Sequence, residues 1–219
     1  MNKPKIAIRE SANEKYYSAI AAADAIALPM IEGESLEDIN KKTRIHGLVV
    51  EGGDFFFPDD WFISDYKSNY ERSYRLNDNI NNINFALYLD LPILGICAGM
   101  QILAALSGYN LTSNIAQTFN TQVDHRKENH LINIKINTLL YEWVKKSQIT
   151  VNSFHNDALI ESHHGIISAK SSDGVIEAIE IPDKSCAVGI QWHPEQILNS
   201  DNLAIFSGFA KACVEYKNS

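Results

Sequence analysis

The sequence predicts an α/β protein whose doubly wound, mostly parallel sheet is flanked by helices and extended by antiparallel strands on its C-terminal side. Two observations predict this fold class. In the first half of the chain, short β-branched runs alternate with helical patterns, which is typical of a parallel sheet covered on both faces. In the second half, strand-like runs follow one another almost directly, which favours antiparallel pairing.

The elements of the first half follow from short apolar runs and the patterns between them. Four runs are predicted to be strands: KIAI (5–8), AIALPM (25–30), IHGLVVEGG (45–53) and PILGI (92–96). The helices are predicted over KYYSAIAAAD (15–24), just before the third strand, around residues 77–89, and from about Gly99. The segment Asp54 to Asn69 is a long irregular loop rich in aromatic residues. Its aromatics could form a substrate lid, a dimer contact or core, and the sequence does not choose among these.

The second half contains five predicted strands: LINIKI, ITVNSF, GIISAK, VIEAIEI and CAVGIQW. Between the first two of these strands, TLLYEWV is predicted to form a helical turn. A final helix is predicted over Asp201 to Tyr216. No internal repeat or linker marks a boundary, and 219 residues with 45% hydrophobic content suit one core. We therefore expect residues 1–219 to form a single domain.

Composition narrows the class of partner. The net charge is -8, and no run of Lys or Arg is longer than two residues, so neither nucleic acid nor an anionic membrane surface is an expected partner. No stretch resembles a signal peptide or approaches the ~18 apolar residues of a membrane span. Three cysteines without a CxxC pair indicate neither a disulfide framework nor a zinc ribbon. These features favour a cytoplasmic protein with reduced thiols and a small-molecule partner; a homodimer is possible.

The stretch GICAG places Cys97 between a predicted strand and a predicted helix. Gly95 and Gly99 flank the cysteine at two residues' distance on either side, which allows the sharp turn of a nucleophile elbow. Such a turn exposes the side chain at the carboxyl end of the strand, and the positive end of the following helix favours the thiolate. Cys97 is therefore predicted to be a nucleophile. The alternative interpretation is a small buried hydrophobic residue.

The stretch QWHPEQ offers the base that a thiol nucleophile needs. Pro194 keeps His193 from entering a helix, so the imidazole is predicted to be held on a turn. Glu195 could accept a hydrogen bond from that imidazole and fix its tautomer, completing a relay suited to acyl transfer. Taken alone, the HPE tripeptide also fits an ordinary turn with a solvated carboxylate.

The two motifs together resemble those of the class I glutamine amidotransferase superfamily. GICAGMQ is followed, about a hundred residues later, by GIQWHPE. Within the superfamily the chain is most similar to the γ-glutamyl hydrolases of the peptidase C26 type, which include γ-glutamyl-γ-aminobutyrate hydrolase. The stretches GLVVEGGD, VNSFH and SSDGVIEAIE extend the resemblance over nearly the whole chain. It implies a flavodoxin-like sheet.

The resemblance also implies roles for individual residues. Cys97 would be the nucleophile, His193 the general base and acid, and Glu195 the residue that orients the imidazole. The backbone amides of Gly53 and Ala98 would form the oxyanion hole, in which such donors contribute ~3 kcal/mol. The implied substrate-binding residues are Gly52, Gln101, Phe154, Asn156 and Asp157.

Three positions depart from the hydrolase pattern. Ala98 stands where those hydrolases carry arginine, His155-Asn156-Asp157 stands where they carry His-X-Gln, and Arg75 is followed by leucine in place of aspartate. The His-Asn-Asp stretch is similar to the His-Gly-Asp of amidotransferase domains. The first hypothesis is therefore a free hydrolase of a small γ-glutamyl amine, and the second is a glutaminase subunit that delivers ammonia to a partner synthase. A third hypothesis is a binding protein that has lost catalytic activity. The presence of Cys97, His193 and Glu195 argues against it.

The remaining histidines and cysteines are assigned no catalytic role from the sequence. His125, His130, His163 and His164 have no acidic or cysteine partner at ligand spacing, so no metal and no other cofactor is expected. His130 matches a family position near the active site. Cys186 and Cys213 lie in apolar patterns and are predicted to be core. Tyr16, on the first predicted helix, is expected to serve packing.

Overall fold

A computed structural model describes residues 3–63, 74–160 and 165–219. Its main sheet has nine strands, of which five run parallel. Helices connect the first four of these strands, and the fifth enters from the end of the chain between β4 and the antiparallel strands. The parallel strands are β1 (Lys5–Arg9), β2 (Ile26–Met30), β3 (Gly47–Val50), β4 (Ile93–Ile96) and β11 (Ala187–Ile190).

The parallel strands stand in the order β2-β1-β3-β4-β11, which is the doubly wound order of flavodoxin-like sheets. Antiparallel strands continue the sheet from β11 in the order β10-β9-β6-β7. The predicted fold class, including the antiparallel extension, is confirmed. These further strands are β6 (His130–Ile134), β7 (Gln148–Val151), β9 (Ile166–Ser171) and β10 (Ile176–Glu180).

Helices cover both faces of the sheet. On one face, α1, α6 and α7 pack on the sheet through residues such as Ile20, Val144 and Phe209. On the other face, α2, α3 and α4 contribute Leu36, Ile83 and Leu103. The helices are α1 (Glu14–Ala22), α2 (Leu36–Lys42), α3 (Tyr74–Tyr88), α4 (Ala98–Leu106), α5 (Ile115–Thr118), α6 (Leu139–Val144) and α7 (Ser200–Asn218).

A small second sheet was not predicted. β5 (Asn110–Thr112) pairs antiparallel with β8 (Ala158–Ile160). Strands of three residues carry too little alternation to be seen in a sequence. The pair ties the segment after α4 to the segment after β7, and both segments border the site described below.

Several predicted strands end earlier in the structure. β3 stops at Val50, so the two glycines after it lie in the following loop, and β11 stops at Ile190 before Trp192. β7 stops at Val151 and leaves the following residues free of strand geometry. These early ends place backbone amides and side chains at the carboxyl edge of the sheet, where α/β proteins build their sites.

Three aromatic side chains in the described part of the aromatic loop belong to the core. Phe55, Phe57 and Phe62 are buried, and the rings of Phe57 and Trp61 stack at 5.5 Å. The loop's remainder, from residue 64, lies outside the described residues. Within the described ranges, no helix is both long and apolar enough to cross a membrane.

Candidate active site

Cys97 lies at a sharp turn between β4 and α4. Its backbone has φ 53° and ψ -111°, a region that residues with a Cβ rarely adopt. Its N–H donates to the carbonyl of Ile190 at 2.8 Å, which fixes the turn to β11. A Cβ on Gly95 would lie 2.7 Å from the carbonyl oxygen of Gly99, and one on Gly99 would collide with the carbonyl of Val50. The glycines therefore permit the close backbone approach that the elbow needs.

His193 is positioned by the neighbouring strand and by one asparagine. β4 and β11 pair in parallel with Ile96 opposite Ile190, so the residues that follow both strands emerge side by side. The side chain of Asn152 accepts from the N–H of His193 and donates to its carbonyl oxygen, both at 2.8 Å. This pair of hydrogen bonds holds the histidine backbone at the sheet edge.

Cys97, His193 and Glu195 form a continuous relay. The Nδ1 of His193 lies 2.7 Å from Oε1 of Glu195, and the thiol of Cys97 is hydrogen bonded to the imidazole. Burial by itself would lower the pKa of His193, but the hydrogen bonds with Cys97 and Glu195 and the charges of both raise this pKa to about 10. The geometry thus favours a charged imidazolium beside the sulfur, held by a carboxylate that is 4% exposed.

The Gly52-Gly53 turn lies against this relay. A Cβ on Gly52 would come within 2.7 Å of Cε1 of His193 and 3.1 Å of the Cβ of Cys97. The N–H of Gly52 donates to the hydroxyl of Tyr16 at 3.1 Å. A Cβ on Gly53 would lie 3.1 Å from both Arg75 and Phe55. The turn is therefore held from both sides by side chains of this chain.

Tyr16 anchors the turn as a neutral phenol. It is 4% exposed, and burial together with the nearby charge of Glu195 raises its pKa far above its usual value. A phenol that stays protonated keeps a lone pair for the N–H of Gly52 and a proton for another acceptor. The sequence suggested only packing for this residue, and its hydroxyl adds a contact to the backbone of the site.

The pocket in front of Cys97 has a volume of about 290 Å³ and carries charges of both signs. Glu51 is buried, and its Oε1 lies 3.5 Å from Nε of Arg9 and 3.4 Å from Nη2 of Arg75. Burial raises the pKa of Glu51 despite the two guanidinium groups. Arg75 also reaches the ring of Phe55 at 5.0 Å and lines the pocket. This charged lining suits a polar substrate of modest size.

The structure brings some of the other predicted residues to this pocket. Gly52, Gly53 and Phe154 line it together with the relay, and the Phe154 ring meets the His193 ring at 6.0 Å. Ala98 is the first residue of α4, so its N–H has no partner inside the helix and stays at the positive helix end.

Gln101, Asn156 and Asp157 are placed differently. The Nε2 of Gln101 donates to the carbonyl of Asp157 at 3.0 Å and to Oε1 of Gln191 at 3.1 Å, and Gln101 is 4% exposed. Asn156 lines a neighbouring pocket. Burial raises the pKa of the Asp157 carboxyl to about 6. In the structure Gln101 braces the loop after β7, and the three residues do not line the pocket at Cys97.

Sequence reasoning missed Tyr16, Glu51 and Asn152. Two of these lie within stretches that carry the resemblance: Glu51 precedes the Gly-Gly pair in GLVVEGGD, and Asn152 precedes Phe154 by two residues in VNSFH. A buried acid before a glycine turn, and an Asn where a strand ends, are signals that could have been used. Tyr16 offers no such signal, because its contact with Gly52 spans 36 residues.

Chemically, the arrangement is suited to attack on a carbonyl carbon. It presents a thiol beside a charged imidazole, a carboxylate that fixes the imidazole, and backbone amides at a glycine turn and a helix start.

The comparisons with known proteins agree with this chemistry. Residues 2–195 match the peptidase C26 family. A glutamine amidotransferase-like protein of Rickettsia prowazekii is 29% identical, with 90% of this chain and 87% of that protein covered. The γ-glutamyl-γ-aminobutyrate hydrolase of Escherichia coli K12 is 31% identical over 148 residues, covering 60% of this chain and 57% of the hydrolase.

Solved structures share the fold at low identity. A protein from Thermoplasma acidophilum that is described as part of a GMP synthase superimposes with a TM-score of 0.74 at 18% identity, covering 100% of this chain and 98% of its own. The glutaminase domain of Trypanosoma brucei CTP synthase, solved with bound acivicin, gives a TM-score of 0.71 at 15% identity, with 97% and 94% covered.

Proposed function

The chain belongs to the peptidase C26 family, which suggests hydrolase or amidotransferase activity, and we propose that it is a cysteine-dependent γ-glutamyl hydrolase. Its substrate would be a small γ-glutamyl amine, such as γ-glutamyl-γ-aminobutyrate, and glutamate would be released. The observation that carries the proposal is the relay of Cys97, His193 and Glu195, facing a glycine turn that this chain alone holds in place.

The reaction divides into two acyl transfers. The Cys97 thiolate attacks the γ-carbonyl carbon, and the amides of Gly53 and Ala98 donate to the oxyanion that forms. His193 gives its proton to the departing nitrogen, the C–N bond breaks, and a thioester remains with the free amine as first product. Water then attacks the thioester while His193 accepts a proton from it. The C–S bond breaks, glutamate leaves after its new carboxyl group loses a proton to solvent, and the Cys97 thiolate and His193 imidazolium are restored.

The residues around the relay support a polar substrate with a carboxylate. Arg75 lines the pocket beside Gly53, and a guanidinium can bind a carboxylate through two parallel hydrogen bonds. We propose that Arg75 faces the amine part of the substrate and that Phe154 and Gly52 border the glutamyl part. Gln101, Asn156 and Asp157 would act on the same end by shaping the loop after β7, because Gln101 already donates to that loop.

The alternative is a glutaminase subunit that delivers ammonia to a partner synthase. The relatives named as glutamine amidotransferase-like and the stretch His155-Asn156-Asp157 favour it. The hydrolase is preferred because an enzyme that works alone needs a preformed oxyanion hole. The Gly52-Gly53 turn is braced by Tyr16 on one side and by Phe55 and Arg75 on the other without a second chain.

A panel of γ-glutamyl amides tests the proposal. The purified chain, without any added protein, is assayed for glutamate release from γ-glutamyl-γ-aminobutyrate, other γ-glutamyl amines and glutamine, with Cys97→Ala as the blank. We expect turnover of at least one γ-glutamyl amine and a higher kcat/KM for it than for glutamine. Activity on glutamine alone, appearing only after a synthase is added, would replace the hydrolase by the amidotransferase subunit.

A further inference from the structure

A second polar cluster lies beyond the relay, around a buried glutamate on β10. Glu177 is 0% exposed, and both His125 and His155 are 2% exposed. Three imidazole nitrogens converge on its Oε1: Nε2 of His130 at 2.9 Å, Nδ1 of His125 at 3.5 Å and Nε2 of His155 at 3.8 Å. The proposed reaction uses none of these groups.

In each of the three histidines, the ring nitrogen that points away from Glu177, called the outer nitrogen here, faces an oxygen that can only accept a hydrogen bond. Nε2 of His125 lies 3.0 Å from the carboxylate of Asp173. Nδ1 of His155 lies 2.9 Å from the carbonyl of Asp157, and Nδ1 of His130 lies 3.3 Å from the carbonyl of Glu128. In His130 the inner nitrogen also lies near an oxygen that can only accept, 2.9 Å from Oε1 of Glu177. With a cation bound among these groups, each inner nitrogen would offer its lone pair to the ion while the outer N–H keeps its acceptor.

A divalent cation at this point would meet the inner nitrogens of the rings and would balance the charges of the two carboxylates, Glu177 and Asp173. Within the described residues, Nδ1 of His125, Nε2 of His155 and Oε2 of Glu177 are buried without a hydrogen-bond partner. Such groups point to a ligand.

We propose that His125, His130 and Glu177 bind a divalent transition metal ion, with His155 as a fourth donor. The ligand atoms of the first three lie within 4.8 Å of one another. Imidazole nitrogen and carboxylate oxygen are ligands that Zn²⁺ prefers, and four protein donors are typical of a structural site. The outer N–H of each histidine already meets an acceptor, which is the usual orientation of metal-bound histidines.

The proposed metal site can be reached from a pocket, and an ion bound there would connect two segments of the chain. His125 and His155 line an open pocket of about 390 Å³ next to the catalytic pocket, through which an ion can enter. The hydroxyl of Ser153 and the N–H of His155 both donate to the carbonyl of His125. A bound ion would thus join the segment before β6 to the loop after β7, the loop whose Asn152 holds His193.

The test is metal binding by the full chain carrying Cys97→Ala, because this variant removes the thiol through which the catalytic relay could bind Zn²⁺. The protein is stripped with a chelator and dialysed against Zn²⁺ or Co²⁺. Metal content is measured by mass spectrometry, Co²⁺ by its visible d–d absorption, and stability by thermal unfolding. We expect about one ion per chain and a higher Tm with Zn²⁺.

Variants of the cluster decide the assignment. Glu177→Gln and His130→Gln, each with Cys97→Ala, should bind the ion about tenfold more weakly or worse and lose the Tm increase. If Glu177→Gln does not fold, His130→Gln decides, since His130 is the first residue of β6 and is not fully buried. Asp124→Asn is the matched control, because Asp124 adjoins His125 but pairs with Arg126 and Lys127. Binding absent from Cys97→Ala, or undiminished in His130→Gln, would overturn the proposal.

Discussion

Gly52 lies in direct contact with His193. There is no room between them for a methyl group, because a Cβ on Gly52 would stand 2.7 Å from Cε1 of His193. The bare backbone of Gly52 thus packs against the imidazole on the side where Cys97 also lies.

Gly52→Ala is therefore expected to displace His193 and lower kcat for glutamate release by roughly 10²-fold, since such losses accompany displacements of about 1 Å in active sites. Gly33→Ala serves as the control. Its Cβ would meet nothing within 4 Å, although its φ of +80° adds strain. The control should lose some stability and keep its rate, and an equally active Gly52→Ala would contradict the assigned position of the imidazole.

Substitutions at Cys97 should distinguish its contribution to catalysis from the effect of its strained backbone on stability. Cys97→Ala and Cys97→Ser are both expected to lose glutamate release by roughly 10³-fold or more. Cys97→Gly should be equally inactive but more stable than Cys97→Ala. Glycine relieves strain of about 1–3 kcal/mol at this positive φ and costs only about 0.5–1 kcal/mol through the freer unfolded chain. Urea unfolding measures the difference, and a Cys97→Ala variant with a tenth of the activity would exclude Cys97 as the nucleophile.

The pH profile should report the raised pKa of His193. Burial would lower this pKa, but hydrogen bonds with Cys97 and Glu195 outweigh burial and raise it to about 10. A raised pKa means that the imidazolium persists as pH rises and is lost only near pH 10. We expect kcat/KM to hold through neutral pH and to fall on the alkaline side.

Glu195→Gln should move that alkaline limb to lower pH, because it removes the carboxylate that stabilises the imidazolium. It should also retain more activity than His193→Ala, which loses the proton carrier in both steps. Identical alkaline limbs in Glu195→Gln and the wild type would show that Glu195 does not stabilise the imidazolium.

Iodoacetamide should label Cys97 before the other two cysteines. Cys186 and Cys213 are 3% and 0% exposed, and burial raises the pKa of Cys186 to about 12 and that of Cys213 well above its usual value. Cys97 lines the pocket beside His193, so a reagent can reach its sulfur. Peptide mapping after brief alkylation measures the order, and first labelling of either core cysteine would count against an activated thiol.

Tyr16→Phe should lower kcat without a comparable change in the unfolding free energy. It removes the hydroxyl that accepts from the N–H of Gly52, so the glycine turn loses one of its two supports. Tyr17→Phe is the neighbouring control, because the Tyr17 hydroxyl donates to the carbonyl of Arg9 and, among the described residues, makes no hydrogen bond with the glycine turn. Equal rates for Tyr16→Phe and the control would limit Tyr16 to packing.

The sequence predicted most of the main sheet and the residues of the relay because both leave local signals. Apolar runs mark the strands, and Gly95, Gly99 and Pro194 mark the turns beside Cys97 and His193. The structure confirms the fold class and brings the three relay residues together, while their catalytic roles remain predictions.

The rest depends on contacts between distant residues. The absence of an acidic partner near His125 and His130 argued against a metal at the level of sequence. Glu177, 47 residues after His130, reaches both histidines because β10 and β6 flank β9 in the folded sheet. The resemblance implied that Gln101 binds the substrate, but in the structure its Nε2 donates to the carbonyl of Asp157 in the loop after β7 and to Oε1 of Gln191.

The position of β11 links the active site to the order of synthesis. The strand joins β4 on one side and β10 on the other, although it is the last strand to leave the ribosome. Until it inserts, a nascent chain would carry two open strand edges in the middle of its sheet and a cysteine without its histidine. During synthesis from the N-terminus, Cys97 would thus remain without His193 until the final strand inserts. Chains that end before Ala187 should therefore be inactive and should tend to associate through the open edges of β4 and β10.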